Sequence, residues 1–407
     1  MIEDAFFIRR IWSFSRAIDL ALVDEEVGQS FNMPLGQRHG ERVGYMAISI
    51  GKALRMPKEE LIQLLVAGLL HDIGAVGGFR SFHGDHRLME EHCLLGANML
   101  EQFPSGELLS KVLLYHHETP DPLYSALKAP LDEIPLMSKI ISFADKVDVH
   151  MPRVHYDRQE RDRLIQWVHD MSGKLLFPEL VPFFAQIAEK EAFWLDLEQN
   201  DLMEIILGLI YGEWTLPASR SNEDAFADQL VSLFADLIDQ KSEFTMRHSR
   251  DVAENALEIA TALGWSDAAQ KEIFMAGLVH DLGKLAVPRK ILDKPAPLNE
   301  EEVAVIRTHT YYTHRLLSEA GFAPHIVHWA AHHHERLDGR GYPFALTADK
   351  LDEGSRIMTI ADMFSALTEH RPYRKALAKD KALEIIGRGA GSSVDAEIFK
   401  IAQKVLA

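Results

Sequence analysis

The sequence predicts an all-α chain built as two tandem helical domains related by internal duplication. Three observations carry this. Apolar residues recur at helical offsets, and no stretch shows sustained strand-type alternation. The octet AGLLHDIG at 67–74 returns as AGLVHDLG at 276–283, identical at six of eight positions. Polar residues also keep their intervals: 32 residues from His39 to His71 and from His248 to His280, 24 from His92 to His116 and from His309 to His333, 28 from His117 to Asp145 and from His334 to Asp362. Three equal spacings define a repeat that kept its polar skeleton.

Taken in order, Val43, Ala47, Ile50 and Leu54 follow His39 along one helix face, and Val252, Ala256, Ile259, Ala260 and Leu263 follow His248 in the same way. Both histidines are therefore expected to point inward. Ser266 is expected to cap a helix that ends near Gly283. One interval differs, with 21 residues from His71 to His92 against 29 from His280 to His309. The surplus falls in the Pro-containing stretch KLAVPRKILDKPAPLNEEE, where insertion costs little. GKLLFPELVPFFAQIA near 173–188 is echoed weakly by GSSVDAEIFKIAQKV near 391–405. The units thus run about 30–190 and 228–407. Phe193–Gly212 is expected to form a connecting helix and TLPASRSNED (215–224) a linker, giving domains 1–215 and 216–407.

Bulk composition narrows the function. A chain of 407 residues with 47% apolar content supports two packed cores. Its net charge of −18 argues against coating DNA or RNA, so an anionic substrate needs a local positive site. Cys93 is the single cysteine, which excludes an intrachain disulfide and fits a reducing cytosol. MIEDAFFIRRIWSF lacks the apolar core of a signal peptide, and the most apolar runs, LLVAGLL and IILGLIYG, are too short to span a bilayer. The expectation is a cytoplasmic protein without membrane contact.

The chain holds 20 histidines. Each repeat sets five imidazoles and two carboxylates at matched spacing, more than a core would bury without a cation. Nitrogen and oxygen donors with no thiolate suit a pair of borderline metals: iron, manganese, nickel or zinc. In the second unit the set is His248, His280, Asp281, His309, His333, His334 and Asp362; in the first it is His39, His71, Asp72, His92, His116, His117 and Asp145. Two close metals acidify water and clamp phosphate oxygens, so phosphoester hydrolysis is the natural chemistry.

The His…His-Asp…Asp skeleton resembles the HD phosphohydrolase superfamily. The second unit resembles its HD-GYP subfamily, which hydrolyses cyclic dinucleotides, on FTMRHS, HDLGK, KILDKP, HHERLDGRGYP and IADMFSALTEHRPYR. The resemblance covers about 240–407 closely and extends to the first unit only as the general HD pattern. It implies that His248, His280, Asp281 and Asp362 hold one divalent metal, and that Asp281 bridges to a second held by His309, His333 and His334. Iron or manganese is favoured, with nickel, zinc or magnesium as alternatives. Lys284 would bind the scissile phosphate and join Asp281 as catalytic. Arg371 and Arg374 would hold phosphates, with Tyr342 beside them. Cyclic di-GMP or 3′,3′-cyclic GMP-AMP is the implied substrate, and diguanylate cyclase (GGDEF) domains are a partner that some members bind. Competing readings are an HD-type nucleotidase or phosphatase and a non-catalytic cyclic-dinucleotide adaptor.

Within HHHERLDGRGYP (332–343), Asp338 and Gly339 are expected to turn, Gly341 to supply a backbone angle closed to other residues, and Tyr342 and Pro343 to fix the loop. Glu335 is expected to orient a ligand. His332 is expected at the surface or behind the ligands, and His314, His325, His328 and His370 at the surface. Phe244 stands where some members carry a third-metal Glu, which implies two metals, and Thr313 replaces the usual Gly that Gly96 retains. The first unit has Ala75 in place of Lys284, TPDPLY after its HHE, and Val154 and Asp157 in place of the arginines. It is expected to bind metal but not to open a cyclic dinucleotide, serving as a regulatory half or a phosphomonoesterase.

Overall fold

The computed structural model describes residues 5–22, 38–76, 86–151, 158–199, 201–212, 223–241, 247–369 and 375–407. Among these the chain is helical with no strand; three isolated β-bridges are its only extended pairings. It divides into two compact units, Met1–Phe226 and Ala227–Ala407.

The first unit comprises α1 (Ala5–Leu22), α2 (His39–Ala53), α3 (Lys58–Leu70), α4 (His86–Leu100), α5 (Gly106–Leu114) and α6 (Leu136–His150). It continues through α7 (Arg158–Asp170), α8 (Val181–Ala188), α9 (Glu191–Glu198) and α10 (Leu202–Tyr211). The second carries α11 (Glu223–Lys241), α12 (His248–Ala262), α13 (Asp267–Val279), α14 (Arg289–Leu292) and α15 (Glu300–Glu319). It ends with α16 (Pro324–Ala331), α17 (Glu353–Thr368), α18 (Lys379–Gly387) and α19 (Ala396–Val405). Packing partners repeat: α2 lies on α3 and α6, and α12 lies on α13 and α17. A 3-10 turn after each His-Asp pair, Ile73–Ala75 or Leu282–Ala286, packs on the helix bearing the next histidine, α4 or α15.

Glycine makes that last contact possible. A Cβ on Gly74 would lie 2.2 Å from the carbonyl oxygen of His92, and one on Gly283 would lie 1.9 Å from that of His309. Backbone therefore meets backbone in both units. Thr313 explains its departure from the usual glycine: its hydroxyl accepts from the Gly283 amide at 2.9 Å and donates to the His280 carbonyl at 3.0 Å. A small side chain thus closes the space with two hydrogen bonds.

The cores are as the helical periodicity requires. Val43, Ala47 and Ile50 are fully buried, as are Val252, Ala256 and Ile259, and both His39 and His248 are buried beside them. Ser266 caps α13 by accepting from the Ala269 amide. The extra residues of the second unit form α14 and a capping box in which Asn299 and Glu302 bond each other's backbone amides. The expected single connecting helix over Phe193–Gly212 is two, α9 ending at Glu198 and α10 beginning at Leu202, and Gly212 ends the second at φ 82°. The proposed linker lies outside the described residues except for Glu223 and Asp224, which begin α11. No helix among the described residues is long and apolar enough to cross a membrane.

One device recurs that equal spacing does not reveal. Asp19 on α1 accepts from the Gly40 amide at 3.1 Å, and Asp239 on α11 accepts from the Ser249 amide at 3.2 Å and its hydroxyl at 2.8 Å. Each acid thus satisfies an orphan amide at the start of the helix whose first residue is a site histidine.

Candidate metal centre

Most site histidines sit at helix ends, and the helix sets their direction. Nδ1 of His280, His309 and His333 donates to the carbonyl three residues earlier, of Gly277 (2.8 Å), Ile306 (2.6 Å) and Ala330 (2.7 Å). His71 and His116 do the same to Gly68 (2.8 Å) and Leu113 (2.5 Å). A carbonyl only accepts, so Nδ1 carries the proton and Nε2 offers its lone pair inward. His248 is turned by an acid instead: its Nδ1 lies 3.1 Å from both oxygens of Glu369.

These Nε2 atoms converge on Asp281. Its Oδ2 lies 3.2 Å from His280 and 3.6 Å from His248, while Oδ1 lies 3.4 Å from His309 and 3.9 Å from His333. Asp362 Oδ1 lies 3.3 Å from His248, and its Oδ2 lies 3.8 Å from Nδ1 of His334. The donors fall into two groups, His248–His280–Asp281 and His309–His333–His334, with Asp281 facing both. All are buried except His334, whose side chain is 31% exposed and opens the site to solvent.

The donor set fits a cation. Nε2 of His248, Nε2 of His280 and Oδ1 of Asp281 are buried with no hydrogen-bond partner among the described residues, and such atoms are costly without one. Protonation states agree. Burial, with the charges around them, holds His333 and His334 below the usual range and His309 at about 3, so these rings are neutral. Burial would raise Asp281, but its interactions with His280 and Lys284 outweigh it and keep the carboxylate ionised; Asp362 is held down by its contacts with His248 and His334. His248 is the exception. Burial disfavours its charge, yet the carboxylates of Asp362, 3.3 Å from Nε2, and of Glu369, bonded to Nδ1, lift it to about 9. Lys284 forms an ion pair with Asp281 Oδ2, its side chain 19% exposed.

The loop after His334 is held by Glu335, which accepts from the Phe344 and Leu346 amides at 2.7 and 2.9 Å. The positive backbone angle belongs to Gly339 (φ 71°), and Gly341 is required for a different reason: a Cβ there would lie 2.4 Å from the Glu335 Cα. The expectation for Gly341 is corrected accordingly, since close approach and not φ excludes a side chain. The loop then lays the Tyr342 ring on His334, centroids 4.9 Å apart.

His332 is buried, stacked on His328 at 4.9 Å and meeting Phe344 edge-on at 5.6 Å. His314 and His328 are half-buried beside it rather than at the surface, and half-buried His325 pairs with Glu272. Their apolar flanks pack under the loop, a contact the local sequence does not announce. Arg371, Arg374 and His370 lie outside the described residues, as do Phe244, Val154 and Asp157.

The first unit brings its seven residues together in the same way. Asp72 Oδ2 lies 3.5 Å from His39 and 3.3 Å from His71, and its Oδ1 lies 3.3 Å from His92. Asp145 Oδ1 is 3.3 Å from His39, and His92 and His116 meet at 3.1 Å through Nε2. Two groups result, His39–His71–Asp72 and Asp72–His92–His116–His117. Asp148 replaces Glu369 as the acid on the first histidine, at 2.7 Å, and is itself bound by Arg42 at 2.6 Å. His39 is lifted to about 10, burial being outweighed by its bonds to Asp145 and Asp148. Glu118 clamps its loop through the Leu127 and Ala129 amides, both at 2.7 Å. Those are the offsets of the Glu335 clamp, so the clamp persists although the GYP sequence is gone.

The helices and paired histidine-aspartate clusters define two HD domains in tandem. The HD domain family matches residues 37–149 and, in a second form, 232–398. The 3′3′-cGAMP-specific phosphodiesterase 1 of Vibrio cholerae is 33% identical, the match covering 98% of this chain and 90% of that one. The cyclic di-GMP phosphodiesterase of Pseudomonas aeruginosa is 34% identical over 39% of this chain and 38% of its own. A crystal structure of a cyclic GMP-AMP-specific phosphodiesterase from V. cholerae superposes with a TM-score of 0.69 at 25% identity, covering 98% of this chain and 97% of that one. The chain belongs to the HD-GYP family of phosphodiesterases, as the HHERLDGRGYP string implied.

Proposed function

We propose that the protein is a metal-dependent phosphodiesterase that opens 3′,3′-cyclic GMP-AMP to a linear 5′-phosphorylated dinucleotide, with the reaction in the second unit. The carrying observation is the division of Asp281, one oxygen toward each histidine group, in a buried site where His309, His333 and His334 are neutral imidazoles. His248, His280, Asp281 and Asp362 would hold one divalent ion, and His309, His333, His334 and Asp281 the other. Bound ions would polarise a phosphodiester and acidify water. Iron or manganese suits the donors best.

The chain's own residues supply the rest. Lys284 stands at the edge of the cluster and is free to exchange its bond to Asp281 for a phosphate oxygen once cations neutralise that carboxylate. Tyr342 walls the open side beside His334. In the first unit Ala75 leaves no cation at the Lys284 position. We read that unit as metal-binding without activity toward the ring.

The substrate reading rests on the relatives that match nearly the whole chain, both named for cyclic GMP-AMP. Cyclic di-GMP is the second reading, since the P. aeruginosa relative, matched over part of the chain, carries that name. The test is hydrolysis of each cyclic dinucleotide by purified, metal-quantified protein, with linear product followed by chromatography. Preference for cyclic GMP-AMP is expected, and Asp281→Ala should lose activity and most of the second unit's metal. Absence of linear product from metal-loaded protein with either substrate would overturn the assignment.

A further inference from the structure

A cyclic dinucleotide carries two phosphodiester anions, and only one can be cleaved at the metal cluster at a time. The second needs its own cation in an acidic protein. Arg307 lies two residues before His309 on α15. Its guanidinium carbon stands 5.1 Å from the centroid of the Tyr342 ring, and that ring rests on His334. The three groups lie side by side at the open edge of the cluster, Arg307 over Tyr342 and Tyr342 tilted against His334. Arg307 is exposed and has no carboxylate partner among the described residues.

The internal repeat supplies an independent comparison. The position two before His92 is Glu90, so the charge is reversed in the unit that also lacks Lys284 and the GYP sequence. Glu90 is exposed, as Arg307 is, so neither identity is dictated by the core. A guanidinium already laid on an aromatic face loses little further freedom on binding and can meet a phosphate through two parallel hydrogen bonds.

We propose that Arg307 binds the second, non-scissile phosphate of the cyclic dinucleotide, with the Tyr342 ring as its support. This rests on the cyclic-dinucleotide reading above. The test uses the metal-loaded full chain with two substrates: 3′,3′-cyclic GMP-AMP, and bis(p-nitrophenyl) phosphate, which has one phosphodiester only. Arg307→Ala should lower kcat/KM for the ring about 10- to 100-fold, mainly through KM. Hydrolysis of the single-phosphate ester and bound metal should stay within about twofold, and Arg307→Lys should restore part of the loss. The decline of kcat/KM for the ring with added salt should also become shallower in Arg307→Ala. An equal fall with both substrates would make Arg307 a support of the site itself, and no change with the ring would remove it from the substrate; either result overturns the proposal. If wild-type protein cleaves the single ester but no cyclic dinucleotide, the functional reading fails first, and Arg307 has no second phosphate to hold.

Discussion

His248 Nδ1 lies 3.1 Å from both carboxylate oxygens of Glu369, an acid seven residues beyond Asp362 at the end of α17. In the first unit Asp148, three residues beyond Asp145, bonds His39 instead. Two unlike spacings deliver one arrangement, in which an outer carboxylate orients an inner imidazole. Removing the acid should therefore loosen the metal and leave the fold intact. Glu369→Ala should weaken metal binding about 10- to 100-fold, with Glu369→Gln, which keeps an acceptor, in between. Competition with a calibrated chelator measures this, and unaltered affinity in the Ala variant would remove Glu369 from the site.

Lys284→Ala should retain the metals, because every donor stays in place. The lost phosphate contact is worth about 1.5–3 kcal/mol, so kcat/KM should fall about 10- to 150-fold. Unlike the Arg307 variant, it should fall with the single-phosphate ester too. Loss of metal instead would show that the Lys284–Asp281 pair holds the site's shape.

The first unit's role separates through His71→Ala/Asp72→Ala. The double variant should lose the first unit's metal, read as a drop in bound ion per chain. Unchanged ring cleavage with accumulating 5′-phosphorylated product would mark a phosphomonoesterase, and an altered cleavage rate without accumulation would mark a regulatory half. Metal content equal to that of wild type would end both readings.

Asp19 gives a pH signature. Burial raises its carboxyl to about 7, against the opposing pull of His39, the Gly40 amide and Arg42, with Glu41 adding to the rise. The folded state thus holds this proton more tightly than the unfolded chain, whose aspartates titrate near 3.9. The stability it contributes is whole below about pH 4, declines as pH rises, and is gone above about 7. In chelator-treated protein Asp19→Asn, which keeps an acceptor for the Gly40 amide, should flatten stability against pH across that window. The full effect is at most about 4 kcal/mol. Denaturant midpoints at pH 4.5 and 7 measure it, and parallel profiles for variant and wild type would refute the assignment.

Much of this architecture was legible because the duplication preserved intervals. Three equal spacings name the ligand residues, and helical offsets turn His39 and His248 inward. The groups that escaped notice have no fixed interval or no distinctive neighbourhood. Asp19 and Asp239 stand 20 and 9 residues before the histidines they serve, so no common spacing links them. Glu118 and Glu335 were visible, but a clamp on amides 9 and 11 residues ahead is a property of loop shape. His332 illustrates the opposite case, where a polar residue next to ligands is buried between the stacked ring of His328 and the edge-on ring of Phe344.

The contact that Gly74 and Gly283 permit sets a main-chain length. The gap between the His-Asp pair and the next histidine is fixed by atoms common to every residue. Ordinary mutation exchanges side chains and leaves that gap untouched, provided the two glycines remain. One copy could therefore lack the lysine and the loop motif, and carry the opposite charge at position 90, while the spacing of its donors stayed constant. The scaffold works as a gauge block: chemistry can be refitted around it in either copy without recalibrating the distance between the two halves of the centre.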